Sequence, residues 1–169
     1  MATYTLTPIG TVRASRTDAV DDRWDEVEVW IELDADELDP EATLGLGDFS
    51  HVEVVYVFDQ VEAADICRGA RRPRGNPAWP ETGMLAQRAK MRPNRIGTTV
   101  CRLLAVEGRR LHVHGLDAID GTPVIDVKPY FSAFGPRGEI REPAWVHELM
   151  ASYWAAPELD GRRHPPRDT

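Results

Sequence analysis

The sequence predicts a mostly-β chain with a long arginine-rich loop and a short C-terminal helix. Three observations lead there. Val27, Val29, Ile31 and Leu33 alternate with Glu26, Glu28 and Glu32, the period-2 pattern of a half-buried strand. Two turn signals, Glu107-Gly108-Arg109 and Asp120-Gly121, separate short apolar runs at hairpin spacing. Clear helical spacing comes late, where Trp145 or Val146, Leu149, Met150 and Tyr153 follow Glu142-Pro143.

In chain order, Tyr4 to Val12 reads as a first strand, with Pro8 and Gly10 marking an edge or a bulge. Trp24 to Leu33 is the second, followed by a polar connection from Asp34 to Gly47. His51 to Phe58 is continuously apolar enough to suggest a central strand covered on both faces. Residues 60–83 read as one long loop, because its centre is crowded with Arg, Gly and Pro. A strand is expected to resume near Met84. Gly97 to Val106 and Leu111 to Leu116 form a hairpin, and Val124 to Val127 follows the Asp120-Gly121 turn. The C-terminal helix is amphipathic and suits packing on the rest of the fold or a dimer contact. Residues 1–156 are expected to form one domain, with 157–169 a flexible tail.

At 169 residues, with 42% hydrophobic and 28% charged residues, the chain supports a packed core and excludes wholesale disorder. No run approaches the ~20 apolar residues of a membrane helix. Met1 to Gly10 lacks a basic head and an apolar run, and Cys67 and Cys101 are the only cysteines. These features point to a reducing cytoplasm, with both thiols buried or incidental rather than catalytic.

The net charge of −8 hides a division. Residues 1–65 hold 17 Asp and Glu against three Arg, whereas residues 66–102 hold eight Arg and Lys90 against Glu81 alone. Guanidinium groups suit bidentate contact with phosphate or carboxylate, so this segment is a candidate for local contact with an anion. A purely electrostatic nucleic-acid scaffold would be basic overall, and this chain is not. No Gly-x-Gly-x-x-Gly lies between a strand and a helix, which argues against a Rossmann sheet.

Two segments carry a family resemblance: Gly83-Met-Leu-Ala-Gln-Arg88 continuing to Arg92-Pro-Asn-Arg-Ile-Gly97, and Leu116-Asp-Ala-Ile-Asp-Gly-Thr-Pro-Val-Ile-Asp-Val-Lys-Pro-Tyr130. With Pro8-Ile-Gly10 and Phe49-Ser-His51 they occur in the order found in the TrmO/YaeB (TsaA-like) family of tRNA methyltransferases, which the chain resembles from about Thr7 to Tyr130. The resemblance implies a compact barrel-like β fold, usually a homodimer, that binds S-adenosylmethionine (SAM). The implied reaction moves a methyl group to N6 of threonylcarbamoyladenosine beside the tRNA anticodon.

By the same resemblance, SAM contacts fall on Asp59, Gln60, Arg88, Thr98, Ile119, Asp120, Gly121 and Thr122. Arg92 and Arg95 are candidates for substrate contact, and Asn94, Asp126 and Tyr130 for the chemistry. Arg88 and Arg92 suit the methionine carboxylate, an RNA phosphate or a surface ion pair. Asp126 suits either the acceptor's proton or a structural pairing with Lys128 or backbone N–H groups.

Three departures weaken transfer of the substrate's identity. Asp21-Asp-Arg-Trp-Asp-Glu26 stands where the family often carries Pro-Arg-Gln, Phe58-Asp59-Gln60 replaces Phe-His-Gln, and Arg95 replaces a proline. Larger members also continue into a second domain after Lys-Pro-Tyr. Another nucleoside or small-molecule acceptor is therefore an alternative, as is a module that binds SAM without catalysis. No metal is expected. His112 and His114 share a strand face near Asp117, a weak pattern for a metal site.

Overall fold

The computed structural model describes residues 2–154. Six antiparallel strands close into a barrel: β1 (Gly10–Ala14), β2 (Val29–Leu33), β3 (His51–Val57), β6 (Ile96–Glu107), β7 (Arg110–His114) and β8 (Pro123–Pro129). Their order around the barrel is β1-β2-β7-β6-β3-β8, and β8 closes the ring by pairing Val124 with Gly10. Two short strands, β4 (Ala70–Arg71) and β5 (Thr82–Gly83), form a separate ribbon. Helix α1 (Ala144–Met150) follows the barrel. The expected tail lies outside the described residues.

Closure explains the core. Alternate residues of each strand point inward, so Val12, Val29, Ile31, Val52, Val54, Tyr56, Cys101, Leu111, Val113 and Val124 meet inside and are almost wholly buried. The apolar run of β3 was expected to be covered on both faces. In the structure it alternates, with Val52, Val54 and Tyr56 buried and Glu53, Val55 and Val57 half-buried, because a closed barrel has a single interior.

Two other expectations shift. The first strand begins at Gly10 rather than Tyr4; Pro8 has no N–H to donate to a ladder. Ile9 extends the pairing by one residue, donating to Val124 O and accepting from Asp34 N–H. The strand expected near Met84 is only the two-residue β5, which ends at Gly83 and gives way to a short 3-10 turn, Met84–Ala86. The loop of residues 60–83 is also less irregular than its composition suggests, since the β4–β5 ribbon lies within it.

One bulge matters for the site residues. Val55 faces Asp126 and Tyr56 faces Val124, so Ile125 is an extra residue in the β3–β8 ladder. The insertion switches the inward parity of β8. Val124 and Val127 contact the core, and Asp126 turns outward beside Lys128.

Candidate cofactor-binding site

The strand directions gather most of the candidate residues at one end of the barrel. β3 ends there, leading into exposed Asp59 and Gln60. β6 starts there, preceded by Arg92-Pro-Asn-Arg95, and β8 starts there after the Asp120-Gly121 turn. β7 ends there and leads into Leu116 to Ile119.

The turn is tied to β1 on both sides. Gly121 N–H donates to Val12 O at 2.9 Å, and Val12 N–H donates to Thr122 O at 2.9 Å. Asp120 accepts from Ala14 N–H at 3.1 Å. Gly121 has φ 83°, left-handed backbone that a side chain would strain. Ile119 and Thr122 are buried, so the turn exposes backbone more than side chain.

Near the start of β6, Arg88 donates from Nη2 to the carbonyl of Thr98 and has no carboxylate partner among the described residues. Thr98 Oγ1 donates to Glu53 at 3.0 Å. Arg95 holds φ 54°, donates to Val61 O at 2.9 Å, and its own carbonyl accepts from Phe58 N–H. The residue that stands in place of a proline thus fastens the segment after β3 to the start of β6. Asn94 is exposed in the turn just before it, and Arg92 is half-buried at the turn's start.

Two candidates lie farther from the turn, although Asp126 is still level with Thr98, since Val55 pairs with both. Asp126 lies partway along β8 on the outer surface, paired with Lys128 Nζ. Tyr130 follows β8, with its N–H on His51 O at the opposite end, about 20 Å along the strand from Val124. Two surface hollows open toward that opposite end. Pro40, Leu44, Gly45 and Val106 line one; Leu38, Phe49, Asp126 and Pro129 contribute to the other.

Sequence reasoning missed a buried polar cluster beneath the candidate site. The Asp117 carboxylate accepts from Tyr56 at 2.8 Å, and also from Thr99 and Tyr153. Burial first, and the Asp117 charge second, push the Tyr56 and Tyr153 phenols well above their usual range, so both act as donors. The same two causes push the Cys101 thiol up to about 12, which suits an inert core thiol. The signal was Tyr56 itself: a tyrosine in an apolar strand needs a partner for its hydroxyl. Tyr153 also carries the chain's C-terminal segment to the site, where the Tyr153 carbonyl accepts from Trp24 N–H at 3.0 Å.

The histidine pair has other company. His112 stacks on Trp30 at 4.3 Å, and His114 lies 3.9 Å from Asp25. Among the described residues, no group of three His, Cys, Asp or Glu is placed to hold a metal. No helix among them is long and apolar enough to cross a membrane.

Comparison with known proteins agrees with this architecture. A mouse protein named tRNA (adenine(37)-N6)-methyltransferase is 42% identical over 96 residues, covering 56% of this chain and 22% of the mouse protein. A probable S-adenosyl-L-methionine-binding protein of Methanothermobacter thermautotrophicus is 38% identical over 133 residues, covering 75% of this chain and 89% of that protein. The crystal structure of TrmO from Pseudomonas aeruginosa superposes with a TM-score of 0.66 at 30% identity, covering 83% of this chain and 62% of that one. The chain spans less than a third of the length of the mammalian relatives it matches. The family model of the tRNA-methyltransferase O N-terminal domain matches residues 19–135, and the chain belongs to that family.

Proposed function

We propose that this protein transfers a methyl group from SAM to N6 of threonylcarbamoyladenosine in tRNA, using the barrel end that carries the Asp120-Gly121 turn. The observation that carries the proposal is convergence. Asp59, Gln60, Arg88, Thr98 and Ile119 to Thr122, scattered through the sequence, meet at one end of the barrel. The names of the mouse and archaeal relatives support methyl transfer to tRNA and SAM binding respectively.

The residues present fit SAM. Arg88 offers a guanidinium without a carboxylate partner to the methionine carboxylate. Asp59 offers an exposed carboxylate to ribose hydroxyls or the ammonium group, and Gly121 offers unencumbered backbone to the adenine. When bound, SAM supplies an electrophilic methyl group, so the chain's task is to orient the acceptor and exclude water.

Asn94, exposed in its turn, is proposed to hydrogen-bond a base, and Arg92 and Arg95 to contact backbone phosphates of the RNA. The acceptor nitrogen gives up a proton on methylation. Asp126 and Tyr130 are proposed for that role within a homodimer, because both stand away from the turn in their own chain. Equilibrium sedimentation would report the dimer. The unit that acts is residues 1–156, in the cytoplasm.

Arg88→Ala is expected to weaken SAM binding at least about tenfold, the loss of one charge-assisted contact, with the melting temperature unchanged. Calorimetric titration checks this, and equal affinity in both proteins would remove Arg88 from the site. The reaction is tested by incubating the protein with labelled SAM and a cell extract split into tRNA and small-molecule fractions. Label is expected in tRNA and lost when threonylcarbamoyladenosine is missing. Label confined to small molecules would reassign the acceptor. SAM binding without transfer to either fraction would leave a SAM-binding module.

A further inference from the structure

Nine cationic side chains lie between residues 66 and 102, and among the described residues Arg74 alone forms an ion pair with a carboxylate. Most of the others belong to one hydrogen-bonded surface beside the candidate site. Cys67 N–H donates to Met91 O and Met84 N–H to Gly69 O, which binds the segments around 67–71, 82–84 and 90–92 together. Gln87, 7% exposed, uses its side-chain amide to reach the carbonyls of both Arg71 and Thr82 at 2.8 and 3.0 Å, clamping the β4–β5 ribbon. Arg68, Arg71, Arg72, Lys90 and Arg92 are carried on this one framework. Like charges carried on one framework repel, and an anion joining them would relieve that repulsion.

The loop between the ribbon strands is held from outside. Arg74 donates to both carboxylate oxygens of Asp22, at 3.0 and 2.8 Å, and its guanidinium lies 5.9 Å from the Tyr153 ring centre. Trp79 Nε1–H donates to Glu148 Oε2 at 2.7 Å, and its ring lies 6.4 Å from that of Trp145. Glu148 and Trp145 are on α1, a helix that buries none of its own residues. That helix lies beyond residue 135, where the match to the family ends. Its contacts make sense as a support for the loop rather than as core packing.

We infer that α1 is a brace that holds the arginine loop in place as a surface for RNA backbone phosphates, separate from cofactor binding. The inference rests on the tRNA reading above and adds the residues that anchor the RNA. A flexible basic loop would pay an ordering cost on binding, and the brace removes it beforehand.

The sign of one substitution separates this from plain electrostatics. Glu148→Ala removes a negative charge near the basic surface, so charge alone predicts tighter RNA binding. Loss of the brace predicts weaker binding. Glu148→Gln also removes the charge but keeps an oxygen for the Trp79 N–H, and it separates the two effects.

The experiment measures binding of a synthetic anticodon stem–loop RNA by fluorescence anisotropy across a salt series, with SAM titrated in parallel. Glu148→Ala and Trp79→Phe are expected to weaken RNA binding at least about threefold, the scale of one side-chain ordering cost, with SAM affinity unchanged. Glu148→Gln is expected to bind RNA at least as tightly as the parent. Arg68→Ala and Arg72→Ala are each expected to reduce the slope of log affinity against log salt by ~0.7–0.9.

Unchanged or tighter RNA binding by Glu148→Ala overturns the brace. Unchanged salt slopes overturn the phosphate surface, as does a parent protein that binds SAM but no RNA. Binding of RNA without SAM would leave this inference standing and instead sink the cofactor assignment.

Discussion

Gly97→Ala is expected to destabilise the barrel by about 2–3 kcal/mol and to weaken SAM binding with it. A Cβ at position 97 would sit 2.4 Å from Cε2 of Tyr56 and 2.5 Å from its Cζ, distances that side-chain atoms cannot share. The tyrosine cannot swing aside cheaply. It is 1% exposed, and its hydroxyl is held by Asp117 and Thr99. The strain would therefore pass to the backbone on either side, which carries Arg95 and Thr98. Chemical denaturation reads the stability. In a Tyr56→Leu background the added methyl group has room, and the same substitution is expected to cost far less. An equal cost in both backgrounds would show that the close approach is not its source.

Asp117→Ala is the second large effect, with an expected loss of roughly 2–4 kcal/mol. One carboxylate accepts from Tyr56, Thr99 and Tyr153, and removing it leaves three hydroxyls short of a charged acceptor inside the barrel end. Asp117→Asn keeps one acceptor oxygen and is expected to lose about half as much.

The cluster also sets a pH dependence. Folding raises the pKa of Tyr56 and Tyr153, so the folded protein holds protons that the unfolded chain releases near pH 10. Their stabilisation is complete below that value and declines as pH rises above it, by up to about 1.4 kcal/mol per pH unit for each tyrosine. Tyr56→Phe should flatten the decline measured by denaturation between pH 9 and 11. A decline as steep as the parent's would place these phenols outside the linkage.

Local chemistry made much of this fold legible. The alternation from Val27 to Leu33 survives as inward Val29 and Ile31, and Glu107-Gly108-Arg109 turns β6 into β7 as its composition implies. What could not be read was long-range. Nothing local in the β8 sequence marks Ile125 as a bulge, because a bulge depends on the register of the partner strand. That one residue decides that Val127 faces the core while Asp126 meets Lys128. Burial of alternate β3 residues depended in the same way on barrel closure, which periodicity alone does not specify.

The candidate site was legible through motif order rather than through chemistry. Arg88, Arg95 and the Asp120-Gly121 turn are far apart in the chain, and the family pattern tied them together before the barrel did. Asp117 shows in the sequence only as a neighbour of the histidine pair, because its three actual partners come from β3, β6 and the segment after α1. The ribbon within residues 60–83 was hidden for a similar reason. Gln87, outside the loop, supplies the contacts that its glycines and prolines cannot.

SAM is proposed to bind at the barrel end bearing the Asp120-Gly121 turn. Backbone amide chemical shifts recorded during a SAM titration test it most directly. The largest changes are expected at Asp59, Gln60, Arg88, Thr98 and Ile119 to Thr122, with little movement at the opposite end. Changes confined to Leu38, Leu44, Phe49 and Val127, around the hollows at that opposite end, would contradict it.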